Sequence, residues 1–233
     1  MVRRELSDYE LTGADRVPPV ATTAVGRVYA AMTRLLDLGV RLFHRQRSAG
    51  PLRTKVALVS PLSAILEGEA RDDSAELSFT VASALAAATP AVALVESLDD
   101  KHVRNIVAAL RAGFGPVEEH SVTASTPEQM RIAEDLWHMV PAAADRRLRT
   151  ICRDTHAISY EIAVANAEST QRRAGLFGCG DLEVAIRQTQ RELDLPPGEL
   201  HGEALRELCQ HPAIADLYDL AILPEYAEAR WTA

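Results

Sequence analysis

The sequence predicts a mainly α fold: a single helical domain with at most a short two-stranded β ribbon. Three observations carry this. Apolar residues recur three and four apart through most of the chain, the spacing of one helix face. Capping residues, prolines and glycines fall at the ends of those runs. Aromatics are only 5% of the 233 residues, so Ala, Leu and Val must fill the core, and small side chains favour close helix packing.

Residues 1–20 are polar, end in Val17-Pro18-Pro19, and read as a flexible arm before a domain over 21–233. Thr22 or Thr23 can cap a helix over 24–46, with Val25, Val28, Met32, Leu35, Leu36 and Phe43 inward. Lys55 to Ser60 is β-prone and stops at Pro61, and 61–69 reads as a turn. Residues 75–90, AELSFTVASALAAATP, form an apolar helix over 74–88, capped by Asp72, Asp73 or Ser74. Val92 to Val95 fits either a second short strand or a helical turn.

Asp99 or Asp100 starts a helix to about Ala112, broken by Gly113-Phe114-Gly115-Pro116. Thr126-Pro127-Glu128-Gln129 places Thr at the N-cap, Pro at the first position and Gln at the third, and opens a helix to Val140. One long helix over 142–177 is expected next, its core stripe Leu148, Ile151, Cys152, Thr155, Ile158 and Ile162. Asp181 caps a helix to Leu193. Short helices follow over 202–209 and 213–221, and Pro224 marks the exit.

The formal net charge of −8 argues against broad phosphate-backbone binding, so no nucleic acid is expected. Cys152, Cys179 and Cys209 are odd in number and widely spaced, which reads as free thiols in a reducing cytoplasm. Met1 to Arg16 has no apolar signal region, and Leu77 to Val95 is a poor membrane span because of Pro90, hydroxyls and many alanines. No membrane partner is expected.

No HExxH, GxSxG or GxGxxG occurs, nor a phosphate-binding P-loop. Cys152 and His156 are four apart on the expected long helix. They form either a thiolate–imidazole pair or a buried thiol beside a histidine. Glu134 and His138 share that spacing, which suits two zinc ligands, with His156 or Glu161 as further donors, or a solvated pair. Arg146, Arg147, Arg149 and Arg153 cluster beside Asp145 and Asp154. They read as a site for phosphate or partner carboxylates, or as an ion-paired face. Arg172-Arg173 lies further on. Trp137 and Trp231 are large apolar surfaces, and Trp231 would dock a partner if exposed.

The order of segments adds a resemblance. A β-prone run at 55–60 and a Leu-containing segment at 61–69 precede Asp72-Asp73-Ser74-Ala75-Glu76-Leu77, which opens the apolar helix. Much later come Arg172-Arg173-Ala174-Gly175-Leu176 and Asp181-Leu182-Glu183-Val184-Ala185. Over about 20–225 this resembles the core of HtpX-like zincin metallopeptidases, and more closely its degenerate versions in large bacterial tetratricopeptide-repeat proteins. In the active family the first helix carries HExxH. The register on Glu76-Leu77 puts Ser83-Ala84-Leu85-Ala86-Ala87 there. Glu168 lies near the family's third ligand. A carboxylate without its two imidazoles cannot hold catalytic zinc.

The resemblance therefore implies a zincin-like pseudo-peptidase scaffold, with no metal or cofactor, that binds a protein or peptide. Arg146, Arg149, Arg153 and Trp231 are the expected partner contacts. An enzyme built on His138, Cys152, His156 and Glu161 is the alternative. A regulatory subunit held by the arginine face or Trp231 is the other.

Overall fold

The structure is a computed structural model and describes residues 4–46, 52–70, 72–116, 126–153 and 159–232. The chain groups into two compact units where one domain over 21–233 was expected. Residues 4–93 with 167–233 form a sheet-containing unit, and residues 94–166 form a helical one. Among the described residues, no helix is long and apolar enough to cross a membrane.

The sheet unit starts with two short 3-10 turns, Leu6–Tyr9 and Gly13–Asp15. Residues 4–20, expected as a loose arm, include the buried Leu11 and Val17, and the Val17 amide donates to the Leu42 carbonyl (2.9 Å). Helix α1 (Ala24–Leu35) is capped by Thr23, whose hydroxyl accepts from the Gly26 amide. It stops eleven residues short of the expected end at 46. Asp37 takes a left-handed conformation (φ 49°), and the Leu38 amide bonds back to the Thr33 carbonyl (3.2 Å). That closure terminates a helix whatever apolar residues follow.

The chain then forms β1 (Arg41–Arg45), which the helical spacing of Phe43 had concealed. β2 is Arg53–Ala57, beginning and ending before the expected 55–60. β3 (Ser63–Glu67) stands where a turn was expected. The sheet thus has three strands rather than two, in the order β1-β3-β2, with β1 parallel and β2 antiparallel to β3. Arg16 adds an antiparallel bridge to Phe43 on β1.

Alternation sorts the sheet's two faces. Leu42, Ala64, Leu66 and Val56 face a core shared with α1 and with α2 (Ala75–Ala87). Phe43, Ile65 and Ala57 pack with Leu11, Leu6 and Tyr9. Both faces are therefore covered. A five-residue strand buried on both faces carries no polar alternation, which is why Ser63–Glu67 did not read as one.

At the sheet's end, Arg45 is 9% exposed and pairs with Glu67, which also holds Lys55 at 2.9 Å. Arg45 also donates to the Tyr9 and Glu10 carbonyls (3.3 and 3.4 Å), so one guanidinium ties β1, β3 and the N-terminal segment.

Helix α2 starts at Ser74, whose hydroxyl accepts from the Leu77 amide. The second half of α7 (Tyr160–Cys179) lies against it. α8 (Leu182–Glu192), α9 (Gly202–Leu208), α10 (Pro212–Ala221) and α11 (Pro224–Thr232) complete the unit. Phe79, Leu176, Ala185 and Leu217 form the core shared by α2, α7, α8 and α10. Pro224 opens α11 rather than closing the fold, since proline suits a helix's first turn.

Of the ambiguous Val92–Val95, residues 93–95 open helix α3 (Ala93–Ser97) and Val92 sits in the turn before it. α4 (Asp100–Phe114) is capped by Asp99. α5 (Pro127–Met139) carries the predicted capping box between Thr126 and Gln129. α6 (Ala142–Arg153) follows. The expected single helix over 142–177 is two elements, because Ser159 accepts from the Ile162 amide (3.0 Å) and caps α7 afresh. The expected stripe breaks with it. Cys152 is buried, Ile151 and Ile162 are 49% and 47% exposed, and Thr155 and Ile158 lie outside the described residues.

Close approach of α7 to α2 depends on two glycines. A Cβ at Gly175 would sit 2.5 Å from Ser83 Oγ and 2.6 Å from the Phe79 ring. One at Gly178 would sit 2.5 Å from the Ala82 Cβ. Gly175→Ala and Gly178→Ala should each destabilise the fold by about 1–3 kcal/mol, although alanine is the better helix former. Urea denaturation monitored by circular dichroism measures this, and unchanged or raised midpoints would contradict the packing.

Lys55 first, then Arg45, hold the Glu67 carboxyl below its ordinary value of 4.5. The ion pairs therefore add stability above the unfolded-state value, and that stability fades as pH falls through the lower folded value. Glu67→Gln should cost about 2 kcal/mol near neutral pH, and its deficit should shrink in acid. A deficit constant from neutral pH to acid would refute this.

Candidate functional site

The resemblance expects HExxH over residues 83–87 of α2, where Ser83 faces α7 and Ala84 and Ala87 belong to the core with α1 and the sheet. Ser83, at the first histidine position, donates its hydroxyl to the Gln171 carbonyl (3.0 Å). Ala84 and Ala87, at the other two chemical positions, are 2% and 4% exposed in the core. At Ser83 the backbone of α7 comes close through Gly175, which leaves no space between the helices for a larger side chain.

Glu168, on the facing helix, is committed elsewhere. Its carboxylate accepts from Arg172 at 2.7 Å, one helical turn on. Arg172 is 5% exposed and also reaches Glu192 of α8 at 3.2 Å. Burial works against its charge, but the two carboxylates more than offset this and raise its pKa. The guanidinium therefore stays protonated, a fixed internal cation between two acids.

A second clamp lies beside it. Arg173 donates through Nε to both oxygens of Asp216 on α10 (3.1 and 3.0 Å), and Ser169 donates to the same carboxylate (2.7 Å). Burial pushes the Asp216 carboxyl up, yet Arg173 and Ser169 hold it below the ordinary value. Residues 168–173 thus fasten α7 to α8 and to α10. The Glu168–Arg172 spacing was visible in sequence, but partners twenty and forty-three residues further on were not.

The other candidates fall in the helical unit. Cys152 is 1% exposed, and its thiol makes a weak contact to the Leu110 carbonyl (3.8 Å). Burial pushes that thiol up, with Arg111 opposing. His138 and Glu134 are exposed on α5. Glu161 is exposed and pairs with Arg104 (2.8 Å). Its own amide and Arg104 keep it ionised below the usual carboxyl range. His156 lies outside the described residues. Among the described residues, no group of three or more His, Cys, Asp or Glu could hold a metal ion.

The arginines and tryptophans are better placed for contact. Arg146, Arg147 and Arg153 are exposed on α6. Arg149 donates through Nε to both oxygens of Asp145 (3.1 and 3.0 Å). Its guanidinium lies 5.0 Å from the Trp137 ring centre, and Trp137 stacks on the buried Phe114 at 5.7 Å. Trp137 remains 52% exposed. Sequence reading named Trp137 and Arg149 separately but did not join them. Trp231 of α11 is 68% exposed, with Arg230 above its ring at 4.8 Å.

No protein-family model, curated protein or solved structure matches this chain. Its chemistry rests on the geometry alone.

A buried neutral thiol is a poor nucleophile. Iodoacetamide at neutral pH should leave Cys152 unmodified in the native protein and label it once denaturant is added, as read by peptide mass spectrometry. Rapid native labelling would instead identify an accessible thiolate.

Proposed function

We propose that this chain is a non-catalytic interaction domain on a peptidase-like scaffold. The carrying observation is the α2–α7 interface. Ser83 bonds to the Gln171 carbonyl, and Gly175 brings the two helices together where zinc chemistry would require imidazoles and an open coordination position. Glu168, the one acid near a ligand place, is neutralised by Arg172. Packing has taken over the site, and what the chain offers to other molecules is its surface. The exposed arginines of α6 and the half-exposed Trp137 support that reading, because arginine and tryptophan are the side chains that most often dominate binding energy between proteins.

Elemental analysis of untagged protein, with a fluorogenic-peptide hydrolysis assay, tests the proposal. Substoichiometric zinc, a melting temperature indifferent to chelator and no hydrolysis are expected. One equivalent of zinc with chelator-sensitive cleavage would overturn it, and its loss in a Cys152→Ala, His156→Ala variant would locate the replacement site.

A further inference from the structure

We infer that the exposed face of α6 docks an acidic, partly apolar polypeptide segment. This rests on the interaction reading above and names the partner's chemistry. Arg146 and Arg153 lie two turns apart on one side of the helix, and Arg147 and Ile151 lie one turn apart beside them. Among the described residues no carboxylate pairs with Arg146, Arg147 or Arg153, whereas Arg27, Arg104 and Arg173 are each paired. Arg149 sits three residues from Arg146 and four from Arg153. Asp145 already offsets Arg149, so the charges of Arg146, Arg147 and Arg153 are the ones a bound anion would neutralise.

The surroundings select the kind of anion. The chain carries a net charge of −8, so a long polyphosphate would be repelled outside this one patch. From Arg146 to Arg153 the patch runs only about 10 Å, at the rise of an α-helix. That length suits two turns of an acidic helix, not a duplex groove. Ile151 and Trp137, 49% and 52% exposed, give the segment apolar anchors. Arg149, fixed by Asp145 and the Trp137 ring, holds Trp137 beside the patch.

The test uses full-length protein carrying Trp231→Phe, so that Trp137 alone reports. The probe is a short synthetic helical peptide with glutamates at i, i+3, i+4 and i+7 and leucines on the flank. Saturable, salt-sensitive quenching of Trp137 is expected. Arg146→Glu with Arg153→Glu should weaken it about tenfold or more without lowering the melting temperature, and a lysine-for-glutamate peptide should restore it. Four outcomes would overturn the proposal. They are no binding by folded protein, equal binding of a glutamine-for-glutamate peptide, tighter binding of a single-stranded oligonucleotide or phosphatidylserine vesicles, and a sedimenting dimer that the double variant dissolves. Failure of the peptide with zinc-free, inactive protein removes only this docking site. Zinc with hydrolysis removes the interaction reading itself.

Discussion

Gly175 and Gly178, one turn apart on α7, let that helix press its backbone against α2, and the sheet unit is organised around that contact. α2 is covered by the sheet and α1 on one side and by the α7, α8 and α10 core on another. A helix buried on several sides has no polar face to spare, which explains why residues 75–90 are almost without charge. The same closeness leaves no room for a large polar side chain at Ser83, and burial in the core with the sheet and α1 leaves none at Ala84 and Ala87.

The charged residues of α7 complement that packing. Glu168, Ser169, Arg172 and Arg173 occupy about one and a half turns and reach α8 and α10 through two separate clamps. Arg172 pays a desolvation cost by being buried, and two carboxylates offset it. Such pairs do less for net stability than for register, because a one-residue slip of α7 would leave the guanidinium buried and unpaired.

Helix ends were the most legible part of the sequence. Thr23, Ser74, Asp99, Thr126 and Asp181 all cap as their residue types and positions suggest, since capping is a local hydrogen bond. The strands were least legible. Phe43 fits a helical period with Leu35 and Leu36, and only the left-handed Asp37 reveals that the period has ended. Ser159 starts a helix for a similarly local reason, and the expected stripe is not kept, Ile151 and Ile162 both being about half exposed. Arg149 and Trp137 could be singled out as residue types. Their stacking depends on how α5 and α6 meet, which periodicity along one helix does not encode.

The N-terminal segment has a further role in the sheet's behaviour. β1 is a terminal strand, and an uncovered strand border is a template for pairing with other chains. The Val17 amide and the Arg16 bridge occupy that border, and Arg45 anchors the preceding turn from the sheet's end. Proteolytic clipping ahead of Pro18 would bare a ready-made recruiting edge and expose Phe43, Ile65 and Ala57 on the adjoining face. The leading segment thus serves as a guard against intermolecular sheet growth.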